Sequence, residues 1–92
     1  MTPEKLDEMI SDMTRQHQKR IDQLTNLFGS AGGPEIFELA EKVMGPGINA
    51  ADWLTSGQIG LNGAVPAVVA LDSDGHERVK TYLIQIEYGV YV

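Results

Sequence analysis

"RVKTYLIQIEYGVYV", Arg78 to Val92, decides the fold class because it can be read in two ways. Ile84, Ile86, Tyr88, Val90 and Val92 alternate with Gln85, Glu87, Gly89 and Tyr91, the period-two pattern of a half-buried strand. Val79, Leu83, Ile86 and Val90 recur at three- and four-residue steps, the pattern of one helix face. Periodicity leaves the two level. The rest of the chain separates them: no second segment alternates, and a strand with nothing to pair with is not stable. The segment is therefore expected to be helical to about Tyr88, with Gly89 in the left-handed position that closes such helices.

Reading back toward the amino terminus, "DSDG" (Asp72–Gly75) turns the chain, and Ser73 or Asp74 is expected to cap the last helix. The stretch faintly resembles a calcium loop. With Gly75 in the sixth position, however, the first would be Ala70 and the twelfth Thr81, so two ligands are missing. Pro66 can open a short helix reaching Leu71. "TSGQIGLNGAVP" (Thr55–Pro66) is a glycine-rich loop. Before it, Asn49 is the expected N-cap of another short helix, with Asp52 returning a carboxylate as in a capping box. Trp53, Leu61 and Pro66 read as structural. "GPG" (Gly45–Gly47) ends a helix that opens at Gly33-Pro34-Glu35 and gathers Ile36, Phe37, Leu39, Ala40, Val43 and Met44 on one face. "GSAGGP" (Gly29–Pro34) separates it from what precedes.

The first segment is a long helix. Thr2 is a suitable N-cap, Pro3 a suitable first residue, and Glu4 lies near the positive helix end. Leu6, Met9, Ile10, Met13, Ile21, Leu24, Leu27 and Phe28 follow helical spacing without a proline or glycine until Gly29. At 1.5 Å per residue such a helix runs roughly 39 Å, long for this size of domain. "TRQHQKR" (Thr14–Arg20) interrupts its seam, placing His17 and Arg20 where the repeat asks for apolar side chains. Three readings stay open: a hinge or solvent-exposed stretch, a polar register device in a dimeric helix, or a basic contact. Arg15, His17, Lys19 and Arg20 are the candidate residues for an oligomer or nucleic-acid contact.

Ninety-two residues with a net charge of −6 make one small domain with no room for a second core. The acidity is spread rather than confined to a tail. Up to Pro46 the chain holds five basic and eight acidic residues, and beyond it two and five. That balance opposes nucleic acid as the main partner, since phosphate neutralisation supplies most of such affinity. No cysteine is present, which excludes disulfides, thiolate metal sites and cysteine nucleophiles. His17 and His76 are far apart, without carboxylates at metal-ligand spacing, and read as surface residues. "GQIGLNG" (Gly57–Gly63) has no Lys-Ser/Thr to complete a phosphate loop. No serine has the setting of a nucleophile elbow. The start lacks a signal peptide, and the longest apolar run, Ala64–Leu71, is too short to span a bilayer. A cytoplasmic binding protein is expected: no enzyme, no cofactor, no metal and no membrane partner.

From Ala51 onward the signals fall in a specific order: Trp53-Leu54, a loop with Asn62-Gly63, Pro66 opening a short helix, Gly75, then Val79, Leu83, Ile86, Glu87 and Gly89. This series resembles the C-terminal toxin-binding domain of the bacterial Xre/MbcA/ParS antitoxins, over roughly Ile36 to Val92. The resemblance implies an all-α fold with a toxin-binding unit over 34–92, which together with the long helix read from spacing over residues 1–28 makes about five helices. It implies a RES-domain toxin as partner, an enzyme that consumes NAD⁺ or transfers ADP-ribose from it. Antitoxin residues near the carboxyl terminus occlude that enzyme's cleft. Carried over, the occluding element is Glu87, Tyr88, Gly89, Val90, Tyr91 and Val92, supported by Val79, Leu83 and Ile86. Family antitoxins commonly carry a helix-turn-helix DNA-binding domain where this chain has about thirty residues reading as one helix, so DNA binding is not expected. Two alternatives stand beside this reading: a small DNA-binding regulator resting on Arg15, Lys19 and Arg20, and a self-associating helical protein, a homodimer through the first helix.

Overall fold

Thr2 lies in extended backbone, and its hydroxyl accepts the Lys5 amide at 3.3 Å, which starts α1 (Pro3–Gly29). The computed structural model describes residues 2–89. Four more helices follow: α2 (Gly33–Met44), α3 (Ile48–Leu54), α4 (Pro66–Val69) and α5 (Ser73–Tyr88), with a 3₁₀ turn over Ile59–Leu61. There is no strand among the described residues, so the fold is all-α. The ambiguous last segment is helix, and Gly89 closes it at φ 67, ψ 26, its amide donating back to the Gln85 and Ile86 carbonyls.

Every helix supplies side chains to one core. Leu27 comes from α1, Ile36 and Ala40 from α2, Ala50 and Leu54 from α3, Ala67 from α4, and Val79 and Leu83 from α5. Leu61 of the 3₁₀ turn and Ala70 join them, and Trp53, Phe37 and Tyr82 pack around the edge. Full burial of a leucine or isoleucine stabilises by about 1.5–3 kcal/mol relative to exposure, so these few residues dominate the fold energy. Two glycines permit the tightest crossings. A Cβ on Gly33 would stand 1.6 Å from the Leu27 carbonyl oxygen, and one on Gly75 would stand 1.6 Å from that of Val69.

α1 is divided along its length. Leu27 is buried, and Arg20, Gln23 and Leu24 are half-buried, but every residue from Pro3 to Lys19 is exposed. The Arg20 guanidinium joins helix to body: it donates to the Thr55 hydroxyl at 2.8 Å and to the Asp52 carboxylate at 2.7 Å. Before that point α1 overhangs, which gives the molecule its 49 × 29 × 24 Å extents.

Three local expectations differ from the structure. α3 is entered from Gly47, not capped by Asn49; Gly47 takes φ 59, ψ −116, and its amide donates to Glu41 Oε2 at 2.9 Å. Glycine adopts that conformation readily, so the helix begins a residue before Asn49, and Asp52 is left to pair with Arg20. α5 is capped by Asp72, not by Ser73 or Asp74. The Asp72 carboxylate accepts the Gly75 amide at 2.6 Å, because close contact with Val69 fixes Gly75 at the third helical position. His76 is not a surface residue. Its side chain is 15% exposed, and its ring fills the space that a Cβ on Gly32 would occupy.

Candidate functional site

α5 is a rigid post whose far end stands free. Asp72 secures its start, and Val79 and Leu83 hold its inner face in the core at zero exposure. Two ion pairs tie its flank to α2: Lys80 Nζ lies 2.9 Å from a Glu35 carboxylate oxygen, and Lys42 Nζ lies 3.2 Å from Glu87 Oε1. The hydrogen bond from Lys80, with its charge, holds the Glu35 carboxyl below the usual glutamate value. The same contact raises Lys80. Trp53 and Tyr82 pack with ring centroids 6.0 Å apart, and the Tyr82 ring lies where a Cβ on Gly60 would be, locking the 3₁₀ turn to α5.

Beyond Leu83 the contacts thin out. Ile86 is half-buried, Glu87 reaches back to Lys42, and Tyr88 is 71% exposed. Of the nine residues expected to form the partner-binding element, Val79 and Leu83 face the core, Ile86 straddles its edge, and Glu87, Tyr88 and Gly89 lie on the surface. Val90, Tyr91 and Val92 fall outside the described residues.

The four basic candidates of α1 do not form one patch. Arg15 pairs with Asp12 one turn away at 3.1 Å, His17 and Lys19 face solvent, and Arg20 is committed to α3. Among the described residues no three His, Asp or Glu side chains converge as metal ligands. Among the described residues no helix is long and apolar enough to cross a membrane.

Ile59 was not singled out from the sequence, yet it is 95% exposed. Its turn is held by the Gln58 amide donating to the Ala64 carbonyl, the Gly63 amide donating to the Gln58 carbonyl, and Gln58 Nε2 donating to the Trp53 carbonyl. A shallow groove of about 340 Å³ runs beside it between Gly60, Leu61 and the outer face of α5 at Arg78, Thr81 and Gln85. Lone isoleucines in glycine-rich loops give no sequence signal of this kind, because exposure there depends on which way the turn faces.

The helices that build the post and brace it coincide with a known unit. The family model of the antitoxin Xre/MbcA/ParS C-terminal toxin-binding domain matches residues 23–89, well over half of the chain. The chain belongs to this antitoxin family. No curated protein and no solved structure matches it. The match begins at Gln23, ahead of the Ile36 at which the sequence resemblance starts, and so takes in the last turns of α1. Packing explains the earlier start: Leu27 is part of the core, and the domain without it would carry a hole. Residues 3–22, with the exposed apolar stripe of α1, lie outside the antitoxin domain.

Proposed function

We propose that this antitoxin binds a RES-domain toxin, an enzyme that consumes NAD⁺ or transfers ADP-ribose from it, and that it occludes the toxin's cleft with the end of α5 and Val90–Val92. It acts as an inhibitor without catalysis of its own, in the bacterial cytoplasm. The observation that carries this reading is Tyr88, an aromatic side chain 71% exposed at the tip of a helix anchored by buried Val79 and Leu83. A rigid aromatic on a fixed support loses little entropy on docking, the property of residues that dominate interfaces. The net charge of −6 favours approach to a cationic cleft built for a dinucleotide phosphate.

The test pairs the antitoxin with a RES-domain enzyme encoded beside it. The intact chain is expected to suppress NAD⁺ consumption. Removing Val90–Val92 together with Tyr88→Ala should abolish suppression while the helical spectrum and unfolding midpoint stay unchanged. Full suppression by that folded variant would refute occlusion by this end. The overhang of α1 supports a second, separate reading: association of two copies through that helix. Leu6, Met9, Ile10 and Met13 lie on one face and are exposed, with no cover among the described residues.

A further inference from the structure

We infer that the toxin docks along the outer face of α5 as well as at its tip, and that it seats Ile59 in an apolar recess of its own surface. This rests on the occlusion just proposed for the end of α5 and adds a second anchor to the same interface. The toxin is the occupant because the toxin-binding domain spans residues 23–89, and Ile59, its groove and Tyr88 all lie within it. Arg78, Thr81, Gln85 and Tyr88 recur at three- and four-residue steps and so share one face of α5. The first three line the groove beside Gly60 and Leu61, and Tyr88 continues the row to the tip. At 1.5 Å per residue that row is about 15 Å long. A standard interface covers about 800 Å² per partner, a patch roughly 30 Å across. A toxin seated on Tyr88 therefore also covers one flank of α5.

Charge decides which flank. On the α2 side Lys80 pairs with Glu35 and Lys42 with Glu87, and covering those pairs would strip water from four charges. On the groove side Thr81, Tyr82 and Gln85 are uncharged, and Glu77 and Arg78 come only at the far end. Interface centres are poor in lysine and glutamate, so the groove flank suits a partner better. A lone exposed isoleucine is ordinary on a protein surface. Ile59 differs because it is 95% exposed on a turn that is fixed from both sides. Gln58 bonds that turn to Ala64 and Trp53, and the Tyr82 ring packs against Gly60. A side chain already held in place loses little freedom on docking. Beside it, the Thr81 hydroxyl and the Gln85 amide offer neutral hydrogen-bonding groups. The matching toxin surface is therefore an apolar recess flanked by neutral hydrogen-bonding groups.

The test reads binding and inhibition separately, with the full chain and the RES-domain enzyme encoded beside it. Ile59→Ser should weaken calorimetric affinity roughly ten- to a hundredfold, the equivalent of leaving one isoleucine in water. An excess of that variant should still suppress NAD⁺ consumption. Thr81→Trp, which fills the groove from a rigid helix, should weaken binding likewise. Ile48→Ser, at an apolar residue 71% exposed outside the groove, should bind as the parent does. Helical spectra and unfolding midpoints should match the parent in all three. Parent-like affinity of folded Ile59→Ser and Thr81→Trp would overturn the inference, as would an equal loss from Ile48→Ser. So would a parent chain that dimerises alone and loses that dimer with Ile59→Ser at unchanged toxin affinity, which would give the groove to a second copy. The occlusion reading fails by a different result: full suppression by the chain that lacks Val90–Val92 and carries Tyr88→Ala. That result, with weakened binding by Ile59→Ser, would leave the groove standing as a toxin contact without occlusion.

Discussion

Ile10 and Ile36 sit on amphipathic helices of the same chain, yet Ile10 is 52% exposed and Ile36 has no contact with solvent. Both helices have apolar residues at three- and four-residue spacing, an N-terminal proline and an acidic residue in the first turn. What separates them is return. The chain comes back to α2 with α3 and α5, and to the last turns of α1 with α2 and α4, but among the described residues nothing comes back to the overhang. An apolar stripe describes what a helix can bury; only the path of the remaining chain decides what it does bury.

The contrast between body and overhang can be challenged by substitution, and the core should respond most. Leu83→Ala is expected to cost about 2–5 kcal/mol, the range for emptying a packed leucine site. Met13→Ala, measured in dilute monomer by urea unfolding, should stay within about 0.5 kcal/mol. A comparable loss at Met13 would mean that the overhang folds back on its own body. Glycines give the next largest difference. Gly33→Ala drives a methyl into the Leu27 carbonyl and should destabilise by about 1–3 kcal/mol. Gly29→Ala, at the end of α1 with open space around it, should be neutral or stabilise by up to about 1 kcal/mol.

Capping tests the same division with one chemistry. Asp72→Ala should lower global stability by about 1 kcal/mol, because α5 cannot loosen without the core. Thr2→Ala removes an equivalent bond but should only fray the first turn, seen as faster amide exchange near Lys5 with an unchanged unfolding midpoint. The smallest effect is electrostatic. Glu35 is lowered by its bond to Lys80, so its contribution is present above the ordinary glutamate value of about 4.3 and is lost as pH falls through the folded value. Lys80 is raised, so its contribution is present below about 10.4 and is lost as pH rises through its folded value. Glu35 is exposed and Lys80 half-buried, so solvent screens the pair and keeps the effect small. Lys80→Met should flatten both limbs of the stability profile, and a profile unchanged by that substitution would remove the pair from the account.

Local signals in the sequence were reliable where the physics is local. Thr2-Pro3, Pro66 and Gly89 mark helix ends because a cap or a fixed φ acts within one turn. Asn49 and Ser73 failed for the opposite reason. Both are good caps by residue type, but contacts made outside the capped turn, six residues back along the chain, displaced the helix starts: Glu41 with Gly47 for α3, and Val69 with Gly75 for α5. His76 looks like a surface residue until Gly32, distant in sequence, leaves room for its ring. The partner-binding element was readable as one amphipathic segment, but not its division into a buried support at Val79 and Leu83 and a free tip at Tyr88.

Residue order alone fixed the helical class, the long first helix, the family and the absence of cysteine chemistry, because periodicity, capping and composition need no knowledge of what lies across the molecule. Tertiary structure decided that α1 joins the body only from Arg20, that Glu35 and Glu87 hold α2 to α5, and that Ile59 points outward. Each of these depends on residues more than twenty positions apart, or on the direction a turn faces. No local pattern encodes that, because burial is a property of the whole chain path.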